Sequence, residues 1–262
     1  MQGIILAAGC GSRLASVLQG KPKCLAQLEG VSLIEYQLAV LRSFGINDVC
    51  VVLGYRADEI REVVGDRCHW IINNRYAETN SLYSLWLARN WVRDSFVLMN
   101  SDVLAHPQVY ERLLETPGNV LAYDSWSGNE AEHMKVAFNK GKLHQISKTL
   151  DIKKAQGESL GLLKFTERAI KSLFKEVEAS LAVGGANQWA PAAIQRLARK
   201  RTIAGIDVAG LPWVEIDFPQ DLQYACNKVW PAICKTLPSW QRKQKAASPA
   251  AKQLVKLGSR VA

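Results

Sequence analysis

Residues 3–14 read GIILAAGCGSRL, an apolar stretch running into a Gly-rich turn that ends on a hydroxyl and a guanidinium. Such a loop offers backbone N–H groups at Gly9 and Gly11, the Ser12 hydroxyl and a fork of donors on Arg13. Together these make a nest for triphosphate oxygens. The same residues also suit a plain strand-to-helix turn. A Walker A loop is excluded, because G-x-x-x-x-G-K-[ST] does not occur. The dinucleotide fingerprint G-x-G-x-x-G fails at its last position, where Leu14 stands. Roughly ten residues on, GKPKCL places Lys21 and Lys23 either side of Pro22. The proline extends the local backbone, so the two ammonium groups need not point the same way.

Three carboxylates farther along stand out by position. NSD, residues 100–102, falls where a fourth strand should end. Ligands of open α/β sheets gather beyond the carboxyl ends of the strands, so Asp102 is well placed to bind Mg²⁺. WVEID, residues 213–217, reads as a strand whose Glu215 and Asp217, two apart, share one face. Taken alone, Asp102 also reads as a helix cap, and the other two as a solvated edge. His69, His106, His133 and His144 lack metal-ligand spacing, so no zinc site is expected.

The elements that must position these groups alternate. GIILAA, DVCVVLG, HWIINN, SFVLMNSD and NVLAYDS read as strands. Helical patterns lie between them: SLIEYQLAVLRSFG, closed by Gly45; a short helix near 57–64; NSLYSLWLARNWV, capped by Asn80 or Ser81; and a helix near 106–115. Strands separated by such helices mean βαβ units and a mostly parallel sheet with helices on both faces. The rhythm then changes. MKVAFNKGKLHQI predicts a hairpin turning at Asn139, Lys140 and Gly141, and GESLGLLKF another strand. Helices near 166–181 and 189–200 follow, then the strands RTIAGIDV and WVEID and a helix from about Pro219. The fold class expected is α/β: a single Rossmann-like domain with a small hairpin subregion.

The chain has 262 residues, 48% of them apolar, enough for one sizeable core. Its formal charge is +9, of which the eight cations after Asp221, the last acid, contribute +8. A near-neutral body argues against specific nucleic-acid binding. The basic end reads as a solvated terminus. The domain is therefore expected over residues 1–230, with 231–262 a short helix and basic tail. Six cysteines without a CxxC pair read as reduced thiols, and no apolar run reaches membrane-span length. LAAGC resembles a lipoprotein cleavage box, but no basic segment precedes it. A cytoplasmic location is expected.

The motif L-A-A-G-x-G-S-R-L followed by K-P-K-x-L resembles the nucleotidyltransferases that join a nucleoside triphosphate to a phosphorylated acceptor. Residues 1 to about 230 are similar, more narrowly, to the small bacterial cytidylyltransferases of the CTP:phosphocholine type and their 2-aminoethylphosphonate relatives. ETNSLYSLWLAR, MKVAFNKGKLHQISK with GESLGLLKF, and PWVEIDFPQDLQYA carry that likeness. It implies that Leu6, Ala7, Ala8, Gly9, Gly11 and Ser12 line the nucleotide, with Asn80 and Ser81 near its base. It also implies that Arg13 and Lys23 neutralise the reacting phosphates and that Asp102 and Asp217, with Glu215 beside them, hold Mg²⁺. Lys135 and Lys148 are candidates for the acceptor's acidic group. Of Trp86, Trp126 and Trp189, which fall near the acceptor side, Trp189 is the candidate contact, since a quaternary ammonium prefers aromatic faces.

The reaction implied is Mg²⁺-dependent transfer of CMP from CTP to a small phosphorylated or phosphonate acceptor, phosphocholine or 2-aminoethylphosphonate in type, with release of pyrophosphate. A homodimer is compatible with it. Sugar-1-phosphate nucleotidyltransferases share the first motif and are the rival enzyme reading. They usually carry a longer central region, and often hexapeptide repeats that do not occur here. A regulatory nucleotide-binding module without turnover is the rival from another class. Gly9, Gly11, Arg13, Lys23, Asp102 and Asp217 all being present argues against it.

Overall fold

The computed structural model describes residues 1–127 and 133–244. The first half comprises β1 (Gln2–Ala7), a small ribbon of β2 (Gln27–Leu28) and β3 (Val31–Ser32), α1 (Leu33–Ser43), β4 (Asp48–Leu53), α2 (Ala57–Val64), β5 (His69–Ile72), α3 (Ser81–Leu87), β6 (Phe96–Asn100), β7 (Val103–Ala105) and α4 (Pro107–Glu115). The second half comprises β8 (Asn119–Asp124), β9 (Lys135–Asn139), β10 (Lys142–Ser147), β11 (Gly157–Phe165), α5 (Glu167–Ala182), α6 (Pro191–Ala198), β12 (Ile203–Asp207), β13 (Trp213–Glu215), α7 (Pro219–Tyr224) and α8 (Trp230–Gln244).

Nine strands form one sheet in the order β5-β4-β1-β6-β11-β8-β12-β10-β9. The strands from β5 to β6 are parallel, as the alternating βαβ pattern requires. Beyond β6 the sheet is mixed: β11 runs antiparallel to both β6 and β8, while β12 is parallel to β8. β9 and β10 form the expected hairpin, with Lys140 and Gly141 both at positive φ, as a tight primed turn demands.

Every residue of β1 is buried because both of its faces are covered. Ile5 and Ala7 join the core beneath α1, α4 and α8, whereas Ile4 and Leu6 join the core beneath α3, α5 and α6. A capping box between Ser32 and Glu35 starts α1, and Asn80 caps α3 by accepting from the Ser81 N–H at 2.8 Å.

α8 runs from Trp230, so residue 230 is not a structural boundary. Trp230, Ile233 and Leu237 are buried in the same core as Ile5. The Trp230 ring meets Tyr36 of α1 in a T-shaped pair, with ring centroids 5.4 Å apart. The tail expected beyond this helix, residues 245–262, lies outside the described residues. No helix among the described residues is long and apolar enough to cross a membrane.

His106 joins α8 to the start of α4. Its Nδ1 accepts from the Gln108 N–H at 3.0 Å, and its Nε2 lies 2.9 Å from the Thr236 hydroxyl. A ring that accepts at Nδ1 must be neutral, and burial pushes its pKa down to about 4. The unfolded chain takes up this proton near pH 6.5, the folded chain only near 4. Stability should therefore fall as pH drops through that window. Each unit of separation is worth about 1.4 kcal/mol, so the effect is of the order of 3 kcal/mol. Urea unfolding at pH 7, 6 and 5 should show this decline, and His106→Asn should flatten it. An unchanged slope in the variant would remove His106 as its source.

Candidate active site

The chain leaves β1 through Ala8, Gly9 and Cys10 and turns at Gly11, whose φ of 58° is left-handed. A single turn of 3₁₀ helix over Ser12–Leu14 follows, anchored by the fully buried Leu14. Lys23 begins a second such turn, Lys23–Leu25, pinned by buried Cys24 and Leu25. The two turns touch. A Cβ at Gly11 would lie 2.5 Å from the Lys23 Cγ, so the glycine is needed both for its φ and for the lysine stem crossing it.

Two carboxylates arrive from the other side. Asp102 sits in the turn between β6 and β7, and β7 pairs antiparallel with β13, setting Val103 opposite Glu215. The Ile216 N–H then donates to the Asp102 carbonyl at 2.9 Å. β13 ends at Glu215, two residues short of Asp217, so strand-face alternation does not extend to that carboxylate. Asp217 is held instead by α7, since the Asp217 and Phe218 N–H groups both donate to Asp221 Oδ2, at 3.0 and 2.7 Å.

Lys23 lies between these segments. Its ammonium donates to Asp217 Oδ1 and stands 3.6 Å from Asp102 Oδ2. Arg13 reaches Asp217 Oδ2 at 3.5 Å, with its guanidinium 4.9 Å above the centre of the Phe218 ring. Burial alone would lower the Lys23 ammonium, but Asp102 and Asp217 outweigh it and hold its pKa above the usual value. Burial raises Asp102 despite Lys23, and Asp217 adds to the rise. Asp217 is held low, because hydrogen bonding and charge from Lys23, then Arg13, overcome its burial. Burial first, then Asp102 and Asp217, push Glu215 up to about 8. The cluster thus gathers three carboxyl groups about Lys23 and Arg13, and Asp102 Oδ1 is buried with no hydrogen-bond partner among the described residues.

A cavity of about 410 Å³ opens at this point. Leu6, Ala7, Ala8, Gly9, Gly11, Ser12, Arg13 and Lys23 line it, as do Asn80, Ser81, Asp102, Glu215 and Asp217. Lys148 and Trp189 form its far wall, the Lys148 ammonium 4.6 Å from the Trp189 ring centre. Lys135 is not brought to it. That side chain is buried between β9 and β10, donating to the His133 and Lys148 carbonyls at 3.4 and 3.3 Å. Trp86 stacks on Tyr83, while Trp126 lies 77% exposed at the surface. Neither of the two lines the cavity, nor does Lys21.

Several lining residues carry no local motif: Asn73, Tyr76, Asn100, Ser159 and Gly161. Asn73 donates to Thr79 and Ser84 at 3.0 and 3.2 Å and so shapes the chain leading into α3. Gly54 lets that segment close against β1, since a Cβ there would lie 2.6 Å from the Ala8 carbonyl and 2.7 Å from Tyr76. The NNRYAETN stretch held polar turn residues but no spacing that marked them as cavity residues.

Residues 3–164 match the model of the MobA-like NTP transferase domain family. The chain belongs to that family and is a nucleotidyltransferase. It is similar to the CTP:phosphoglutamine cytidylyltransferase of Campylobacter jejuni, 24% identical over 256 residues that cover 87% of this chain and all of the relative. It is 40% identical over 101 residues to the choline-phosphate cytidylyltransferase of Streptococcus pneumoniae, covering 37% of this chain and 43% of that protein. Its fold is that of the inositol-1-phosphate CTP transferase of T. maritima, with a TM-score of 0.75 at 23% identity over 89% of this chain and 95% of that one.

The contact between Gly11 and Lys23 has a measurable consequence. Gly11→Ala should cost about 1–2 kcal/mol for the left-handed backbone. The added methyl should also displace the Lys23 stem, and a shift of this kind near reacting groups lowers turnover on the order of 10²-fold. Urea unfolding and steady-state turnover of the variant check both. Near-native turnover would show that the loop tolerates the methyl without moving Lys23.

Proposed function

We propose that this nucleotidyltransferase transfers the cytidylyl group of CTP to a small phosphorylated or phosphonate acceptor, using Mg²⁺ and releasing pyrophosphate. The convergence of Arg13, Lys23, Asp102 and Asp217 on a cavity walled by the Ala8–Ser12 loop carries this reading. Choice of CTP rests on the names of the relatives. The phosphorus-bearing acceptor rests on the same names and on Lys148, which faces the cavity from the side opposite the loop.

The N–H groups of the loop and the Ser12 hydroxyl bind the triphosphate, and Arg13 and Lys23 lie against the phosphates undergoing substitution. An oxygen of the acceptor forms its bond to the α-phosphorus as the bond from that phosphorus to the bridging oxygen breaks. The electron pair leaves with pyrophosphate. The acceptor already carries an oxyanion, so no side chain need act as nucleophile. The chain's contribution is alignment and charge neutralisation. Lys23 stabilises charge gathering on the α-phosphate, and Arg13 that on the departing pyrophosphate. Asn80 and Ser81 border the cavity where the base would lie, with Asn73 bracing the segment between them and β5.

The carboxylates fit a divalent cation. Asp102 offers a buried oxygen without a partner among the described residues, and the burial and neighbouring carboxylates that raise Asp102 and Glu215 are offset by a bound cation. No group of three acidic, His or Cys side chains suited to a metal ion occurs among the described residues. Mg²⁺ takes one or two carboxylates and completes its shell with phosphate oxygens and water. When bound, Mg²⁺ supplies charge stabilisation on the phosphates. Asp102 and Asp217 would hold it, with Glu215 beside them.

The far wall favours a small acceptor over a polyol. Leu98, Met134, Ile146, Leu163 and Ile194 present apolar surface there. Sugar hydroxyls buried against such a wall would lose their hydrogen bonds to water without replacement.

Pyrophosphate release measured with four nucleoside triphosphates and a panel of acceptors should be greatest with CTP and a phosphomonoester or phosphonate. Activity with a sugar 1-phosphate alone would overturn the acceptor assignment. Lys23→Ala should lower kcat on the order of 10²-fold while changing CTP binding far less. A kcat within about threefold of wild type, judged against that loss, would take Lys23 out of the chemistry. EDTA should abolish turnover and Mg²⁺ restore it, and Asp102→Asn and Asp217→Asn should lose turnover with the fold intact. Wild-type rates in both variants at an unchanged Mg²⁺ requirement would move the metal elsewhere.

A further inference from the structure

Gln37 is fully buried on the core face of α1, one turn from Ile34 and from Leu41. An aliphatic side chain at that position would bury the same surface without desolvating an amide. The amide nitrogen donates twice, to the Asn100 carbonyl at 3.0 Å and to the Val103 carbonyl at 2.8 Å. Both acceptors are carbonyl oxygens, so the NH₂ and not the oxygen must face them. The amide oxygen is buried with no hydrogen-bond partner among the described residues. The residue therefore leaves an acceptor unsatisfied in the core while its two donors are both used, and an unsatisfied buried acceptor is the costly half of such a bargain.

The two carbonyls it grips belong to the residues that bracket Ser101 and Asp102. Asn100 closes β6 and Val103 opens β7, and one NH₂ group bridges across the turn between them. The neighbouring Tyr36 hydroxyl donates to the Ala105 carbonyl at 2.8 Å, so α1 grips the same segment at three carbonyls. Two further ties fix the turn from the sheet side, from the Ser101 N–H to Leu6 at 3.2 Å and from the Ile216 N–H to Asp102 at 2.9 Å. These hold single backbone atoms. Among the hydrogen bonds of the described residues, the Gln37 bridge spans the turn that presents the Asp102 carboxylate and so sets its width.

We infer that Gln37 is a positioning residue, whose amide bridges the Asn100 and Val103 carbonyls to hold the Asp102 carboxylate where the divalent cation and phosphates meet. This rests on the proposed role of Asp102. Gln37 touches neither substrate nor metal. Its effect is exerted through the backbone turn, so its loss should weaken metal binding and turnover rather than affinity for CTP.

The test uses the full chain with Gln37→Leu and Gln37→Met, which keep the volume and remove both donors and the unsatisfied oxygen. Mn²⁺ is the probe, its binding followed by the loss of the free-ion resonance in CTP-saturated protein. Circular dichroism and thermal unfolding report the fold. In a folded variant, Mn²⁺ affinity should weaken about tenfold and kcat should fall, partly restored by excess Mg²⁺, with KM for CTP little changed. Mn²⁺ affinity within about twofold of wild type in a folded variant overturns the inference alone, against the tenfold loss expected for a lost outer-shell partner. Failure of both variants to fold also overturns it, because Gln37 would then be required for stability. If wild-type protein binds no Mn²⁺ with CTP present, the metal reading fails first and the inference falls with it.

Discussion

The ammonium of Lys23, set against Asp217 and within reach of Asp102, is the interaction on which the rest of the arrangement depends. It joins three segments that share no local structure: the turn after Pro22, the end of β6 and the chain entering α7. Arg13 brings a fourth, from the loop after β1, to the same carboxylate. Bringing acids together inside a protein is unfavourable unless cations sit with them. Burial first, and then the neighbouring carboxylates, raise Asp102 and Glu215 despite Lys23. A site left in this condition is suited to receive further positive charge, and a phosphate chain that would share the lysine and arginine.

The sheet explains why these segments can meet. β1 lies between β4 and β6, so the chain crosses to one side for β4 and β5 and to the other for β6. A crevice opens beyond the carboxyl ends of the strands where the winding reverses. The loop after β1 and the Asp102 turn after β6 border that crevice from adjacent strands. The β7–β13 ribbon then carries Glu215 back to it from more than 100 residues away in sequence, and the start of α7 does the same for Asp217. Gly11 permits the Lys23 stem to cross the loop, and Asp221 fixes the chain at Asp217. Each of these local features has its reason in the placement of one lysine.

The first half of this plan was legible in the sequence because its signals are local. GIILAA, DVCVVL and FVLMN are apolar runs of strand length, and the helix from Leu33 begins on a capping box and ends before Gly45. The loop chemistry of Gly9–Arg13 and the lysines after it are contiguous and readable. Less was legible where long-range pairing decides. The ribbon of two-residue strands at Gln27–Leu28 and Val31–Ser32 is too short for any periodicity to mark. The antiparallel run of β11 between β6 and β8 has the same composition as a parallel one. Lys135 and Lys148 illustrate the limit at the level of side chains. Lys135 opens β9 and Lys148 lies just past the end of β10, yet one is buried against carbonyls and the other faces the cavity. Only the packing of the hairpin says where each lysine points.

The acceptor side is hardest to read for a related reason. Its walls come from β6, β10, β11 and the start of α6, elements that contribute one or two residues each, and those residues are ordinary core types. Such a wall recognises by shape and by what it omits. Leu98, Ile146 and Leu163 offer that wall apolar surface, and no residue among them announces a specificity. Lys148 against Trp189 adds one feature with a sign. An ammonium resting on the ring face already uses the electron-rich surface that a second cation would need, so the two cannot occupy it together. Whatever cationic group an acceptor brings must either displace Lys148 towards a phosphate or sit elsewhere in the cavity. Under the proposed function, the charge of the acceptor's far end would thus be coupled to the placement of Lys148, as the reacting end would be to that of Lys23.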